Sequence, residues 1–252
     1  MICYKQYKNL LFFSFTILLI FTSIDVLSQV VNIENKRQSD DIGWSGHTEL
    51  SFDYNKSTQN DWEFSNVTYI QWDNDLWSVL ILNEINVDRA GGVDFSNDGY
   101  QHLRISNHLN KIFSLESFVQ NQYDPVRNIK NRKLAGLGLR YKLNDYNSLG
   151  ITSFYEKEVL EENIENDAVR LSVTFQLRLI SNKTFRLSTT NYIQPSLMNF
   201  SDYKLSNETV LSVNINDKFA FTNSFTCGYD THPAIGIPNL IYNFQNGIVY
   251  TF

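Results

Sequence analysis

Cysteine, proline and charge are all scarce in this chain. Two cysteines in 252 residues, Cys3 and Cys227, exclude a disulfide framework, which needs an even set in the mature protein. Four prolines and 11 glycines exclude a proline-rich or collagen-like chain. Charged residues make up 19% and the formal net charge is −6, so the chain has no general attraction for nucleic acid. No glycine-rich phosphate loop is present, and Ala90-Gly91-Gly92 reads as a flexible outer loop. No cofactor motif and no metal-ligand spacing emerge. His102 and His108 are the one close histidine pair. On one strand they lie about 20 Å apart at ~3.3 Å per residue, too far to share an ion.

Aromatic residues, by contrast, are plentiful at 14%, with 14 Tyr and 18 Phe. Strands favour aromatics, and membrane interfaces favour Tyr and Trp. The mean hydropathy of −0.28 fits a β-barrel, which shows lipid only alternate residues. The N-terminus has the features of an export signal. Lys5 and Lys8 precede an apolar run from Leu10 to Phe21, and Ser28 stands before the expected cut at Gln29. An anchoring helix is the competing reading, but Thr22, Ser23 and Asp25 interrupt its end. Residues 1–28 are therefore expected to be a cleaved signal peptide. Residues 29–42, polar and aperiodic, are expected to be a flexible periplasmic lead-in, and residues 43–252 a barrel.

Alternation dominates the rest of the chain. Val169, Leu171, Val173, Phe175, Leu177 and Leu179 share one face, and Arg170, Ser172, Thr174, Gln176 and Arg178 share the other. Ala135 to Leu143, Tyr203 to Ile215, Phe219 to Asp230 and Leu240 to Phe252 repeat the pattern. Fainter strands cover Trp44 to Tyr54, Trp62 to Trp72, Leu76 to Val87, Tyr100 to Leu109, Ile112 to Gln122, Leu149 to Tyr155 and Phe185 to Ile193. That predicts twelve strands. Short connections rich in Asn and Asp (73–75, 110–111, 144–147, 181–183, 216–217) alternate with longer ones (55–61, 88–99, 123–132, 156–167, 194–202, 230–239). Short periplasmic turns, long outer loops and an even strand number describe an antiparallel up-and-down transmembrane β-barrel. A soluble sandwich or a lipocalin-like barrel gives the same alternation with its apolar face turned inward. Aromatics near strand ends, the terminal Phe252 and the hairpin connectivity favour the membrane.

Ser117-Phe118-Val119-Gln120-Asn121-Gln122-Tyr123-Asp124-Pro125-Val126-Arg127 leads into Arg132-Lys133-Leu134-Ala135-Gly136-Leu137-Gly138-Leu139-Arg140-Tyr141, and Tyr229-Asp230-Thr231-His232-Pro233 precedes the last strand. In these segments the chain resembles the bacterial outer-membrane family catalogued as domain of unknown function 481, also described as salt-induced outer-membrane proteins. The centre of the resemblance is the Tyr-Asp-x-x-Arg loop with Asp124 and Arg127, followed by Ala-Gly-x-Gly with Gly136 and Gly138. It implies export and a barrel, and no established activity.

The alternation turns His47, Glu49, Asp53, Glu84, His102, Arg104, Glu116, Gln120, Arg140, Lys142, Arg170, Arg178, Arg186, Lys204, Glu208 and Asp230 inward. Such an interior is either cross-braced by ion pairs or a small aqueous path. The basic members fall mainly on the sixth to tenth strands, which predicts a basic wall opposite acids elsewhere. Five glutamates at 156, 158, 161, 162 and 165 load one expected outer loop, either simply solvated or weakly cation-binding against lipopolysaccharide. The expected partners are outer-membrane lipids, lipopolysaccharide and the barrel-assembly machinery. An enzyme is not expected. The competing activity is lipid hydrolysis using Ser106 with His102 or His108, on one face of one strand.

Overall fold

Period-two segments joined by tight turns pair with their neighbours in sequence, because each hairpin returns the chain beside the strand it has just left. The computed structural model describes residues 42–250, apart from 57, 59, 161, 162, 217 and 218. The expected signal peptide, residues 29–41 of the expected lead-in, and Phe252 lie outside the described residues. Twelve strands follow in order: β1 (Gly43–Lys56), β2 (Asn60–Asp73), β3 (Trp77–Ala90), β4 (Val93–His108), β5 (Phe113–Asp124), β6 (Ile129–Lys142), β7 (Ser148–Leu160), β8 (Glu165–Ser181), β9 (Phe185–Pro195), β10 (Tyr203–Asn214), β11 (Phe219–Asp230) and β12 (Leu240–Tyr250). They form one antiparallel up-and-down sheet in which spatial order equals sequence order. Among the described residues no ladder joins β1 to β12. The sheet is nevertheless strongly curled. One cavity is lined by residues from every strand between β4 and β9, and Tyr100 on β4 comes near Tyr192 on β9.

The short connections share one construction. Asn74, Asn110, Asn144, Asn182 and Asn216 each donate their backbone N–H to the carbonyl three residues on, at 2.8–3.3 Å. Each also accepts at its side-chain Oδ1 from the backbone N–H of that third residue, at 2.7–2.9 Å. Wherever the residue two positions on is described, its N–H also donates to that oxygen. A short amide side chain that replaces a backbone partner is what fits Asn to such turns. Both ends of the sheet's path, Gly43 and Tyr250, pair with the short-turn ends of β2 and β11.

The expected long loops are shorter than the sequence suggests, because the strands run further. The connection expected over 88–99 shrinks to Gly91-Gly92, with φ of 59° and 84°. Glu156 and Glu158, expected in a loop, belong to β7. Alternation marks only the part of a strand that faces two different media, and these strand ends are polar on both faces.

Leu103, Ile105, Leu115, Val119, Leu137, Leu139, Ile151 and Phe175 point outward and are exposed, whereas their neighbours His102, Ser106, Glu116, Gln120 and Ser172 are buried. Trp77, Phe113, Tyr141, Phe185 and Phe219 stand exposed in a row at the short-turn ends. Phe113 and Tyr141 pack with ring centroids 5.1 Å apart. A polar strip crosses the outward face of several strands, with amides and hydroxyls bonded across neighbouring strands. Asn83 donates to Asn66 at 2.7 Å, Asn121 to Gln101 at 3.0 Å and Asn207 to Asn191 at 2.7 Å. Pairing of this kind lowers the cost of turning polar side chains away from water. Inside, Leu80, Leu82 and Tyr100 form an apolar cluster with Tyr69 against them. The run Val79-Leu80-Ile81-Leu82 is apolar on both faces, so period two cannot show that half of it points inward.

Candidate functional site: the lumen and its two mouths

Two glycines set the wall of the lumen. Gly136 and Gly138 face inward on β6, opposite Phe118 and Glu116 of β5. A Cβ on Gly136 would lie 2.6 Å from the Phe118 ring and 2.7 Å from the Phe154 Cβ. One on Gly138 would meet the Ile151 carbonyl oxygen at 2.6 Å. The two bare positions therefore let side chains from β5 and β7 lie against the β6 backbone, which gives the Ala-Gly-x-Gly motif a steric meaning. Phe118 stacks on His102 at 5.4 Å and tilts against Phe154 at 6.2 Å.

Next to this aromatic layer is a small cavity, partly open to solvent. Phe118, Leu134, Phe154 and Tyr192 supply apolar surface, and Gln120, Thr152, Ser172, Thr174 and Gln194 supply neutral polar groups. Charged groups bound it at both ends.

At the long-loop end the charges are densely paired. Glu156, only 2% exposed, accepts from Arg132 Nε at 2.5 Å, from Arg170 Nε and from Lys204 Nζ at 3.3 Å. Arg132 is itself 1% exposed. Arg170 also forks onto both carboxylate oxygens of Asp202, at 3.0 and 3.1 Å. Lys204 also reaches Asp230 at 3.5 Å and Glu158 at 3.7 Å. Three cations thus share four carboxylates, and the Lys204–Glu156 pair spans from β10 to β7. The Asp124–Arg127 loop lies close by. Asp124 caps a single 3-10 turn over Pro125–Arg127 by accepting from the Arg127 N–H at 3.2 Å, and its other oxygen meets Arg127 Nε at 3.3 Å. Burial lowers the proton affinity of the Arg127 guanidinium, and the Asp124 and Asp98 carboxylates oppose that change. Asn128, left-handed at φ 61°, donates to the Ile235 carbonyl at 2.9 Å. That bond ties the β5–β6 connection to the β11–β12 connection across the mouth.

At the short-turn end cations outnumber acids. Arg104 pairs with Glu116 at 2.8 Å, Arg140 donates to Gln176 at 3.1 Å, and Lys142 lies 3.7 Å from the exposed Asp145. Arg178 lies 3.8 Å over the Tyr146 ring, and Arg186 is exposed on β9.

The remaining inward candidates are scattered. Glu49 is exposed on β1, 3.7 Å from His47. Glu84 on β3 hydrogen-bonds Tyr100, and Glu208 is half-buried on β10. Glu156, Arg132 and Asp202, the centre of the long-loop cluster, are absent from the inward residues expected from sequence. Extending the even phase of Ser148, Gly150, Thr152 and Phe154 by one step reaches Glu156. The same step backward from Gly136 and Leu134 reaches Arg132. The basic wall expected on the sixth to tenth strands is thus broken by an acid at its centre.

The residues of the competing hydrolase reading have other partners. Ser106 donates to Glu116 at 3.3 Å, His102 bonds Gln120 at 3.0 Å, and His108 bonds Ser114 at 3.0 Å. Among the described residues no group of three or more His, Cys, Asp or Glu is placed to hold a metal ion.

Solved structures similar to this one include two porins. The NanC porin is 10% identical with a TM-score of 0.46, over 83% of this chain and 98% of that one. The KdgM porin in complex with disordered oligogalacturonate is 12% identical with a TM-score of 0.40, over 80% of this chain and 98% of that one. No curated protein matches the chain. Residues 48–252 match the family described as protein of unknown function, DUF481, and the chain belongs to that family.

Proposed function

We propose that the mature chain is an integral outer-membrane β-barrel, porin-like in build, that conducts small solutes weakly through a narrow polar lumen. One observation carries this reading. The apolar side chains stand exposed on the outward face with a row of aromatics at one end, while the buried positions between them are polar and charged. A soluble sandwich or lipocalin-like barrel requires the opposite. Lipid on the outside and water inside fit it, and the short-turn aromatics suit the periplasmic interface.

The long-loop cluster would be the constriction. Its ion pairs join strands up to three apart and leave little charge unmatched, so they brace the wall at the cost of aperture. The short-turn mouth, rich in arginine, would attract anions and raise their local concentration. Membrane fractionation and planar-bilayer recording test the reading together. The expected result is a heat-modifiable outer-membrane protein with small, anion-favouring current steps. Recovery as a soluble periplasmic protein would sink it.

A further inference from the structure

We propose that the central cavity is a binding site for a neutral polyhydroxylated ring, such as a single sugar unit; this rests on the barrel reading above. The charges around the cavity are already engaged: Arg104 with Glu116 at 2.8 Å, Arg132 with Glu156 at 2.5 Å, and Arg140 with Gln176 at 3.1 Å. What they leave for a ligand is neutral. Gln194 lines the cavity and is 8% exposed. Its Nε2 donates to the Ser172 hydroxyl at 3.4 Å. Its Oε1 is a buried oxygen with no hydrogen-bond partner.

A buried acceptor without a donor costs free energy in the empty protein and rewards a ligand that brings one. The terminal amide of a glutamine turns in a broad, shallow well, so a small rotation presents that oxygen to the cavity. A ring hydroxyl is a suitable donor, because it also accepts and so suits the Ser172 and Thr174 hydroxyls beside it. Phe154 and Tyr192 line the same cavity and offer aromatic surface to the apolar C–H groups of a sugar ring. An anion gains less in the middle of the cavity, since Arg104 and Arg132 are already paired with carboxylates. A purely apolar solute leaves Gln194 unsatisfied.

Maltose and glucose serve as probes, added to the purified full-length mature barrel in two assays: calorimetric titration in detergent and block of ion current in a bilayer. The proposal expects saturable binding of glucose that weakens about tenfold in Gln194→Leu, the loss of one hydrogen bond. Thr174→Leu, which narrows the cavity while leaving Gln194 in place, should weaken it comparably. Sodium gluconate, an open-chain anion, should not compete with glucose. Binding that is absent, or equal in wild type and both folded variants, overturns the sugar site. If the wild-type barrel conducts and neither sugar binds, only this inference fails. If no current is seen under any condition, the conducting role fails, and the titration still decides the site.

Discussion

The two mouths of the lumen use the same residue types to different ends. At the long-loop mouth Arg132, Arg170 and Lys204 are buried, and Glu156 is held by all three. At the short-turn mouth Arg104 pairs with the buried Glu116, but Arg140, Lys142 and Arg178 are half-buried and meet an amide, a surface carboxylate and an aromatic ring, and Arg186 is exposed. Burial makes the difference. A charge removed from water must be matched, and once matched it becomes a brace whose loss is expensive. A charge left near water keeps its hydration, adds little to stability and projects its field into solution. The long-loop mouth is therefore read as structure, and the short-turn mouth as electrostatics.

Substitutions at the two mouths should separate these roles. The largest effect is expected for Glu156→Gln, which strips the shared carboxylate from three buried cations. A loss of about 3–5 kcal/mol is expected, seen as a lower temperature of heat modification on a detergent gel. Arg170→Ala should behave alike. A wild-type melting profile for both would mean that the cluster is not a brace. Gly138→Leu should cost about 1–3 kcal/mol or block folding, because it overpacks the β6 wall against β7. Folded yield in the outer membrane reports it, and an unchanged yield would contradict the close approach. Arg140→Ala should change stability by less than about 1 kcal/mol and shift the reversal potential toward cations. A stability loss as large as that of Arg170→Ala would erase the contrast between the mouths. The smallest effect belongs to the turns. Asn144→Ala removes one side-chain acceptor and should cost about 0.5–1.5 kcal/mol, measured as a modest fall in the same gel transition with conductance intact.

Much of this contrast was readable from the residues, though unevenly. Strand number, order and the inward phase of Arg104, Glu116, Arg140 and Arg170 follow from alternation, because there the two faces meet different media. The short turns announce themselves through asparagine. The family loop was visible as Tyr-Asp-x-x-Arg, but nothing local says that Asn128 reaches Ile235. That contact depends on how far the sheet curls. Glu156 was hidden for a different reason. It sits above the apolar band in a glutamate-rich stretch, where period two fades and a solvated loop looks identical. Its role appears only when β6, β8 and β10 bring three cations to it. Leu80 and Leu82 were concealed by a run that is apolar on both faces.

The asymmetry between the mouths is open to direct measurement. Thr174 lines the cavity between them. A Thr174→Cys barrel made in a Cys227→Ser background can be reacted with a charged, membrane-impermeant thiol reagent. The reagent is applied to intact cells, which exposes one mouth, or to cells with a permeabilised outer membrane, which exposes both. The account predicts slow modification in intact cells, at least about tenfold faster modification after permeabilisation, and loss of that difference when Glu156→Gln opens the braced mouth. Equal, fast labelling in both preparations of the Glu156-containing protein would contradict it.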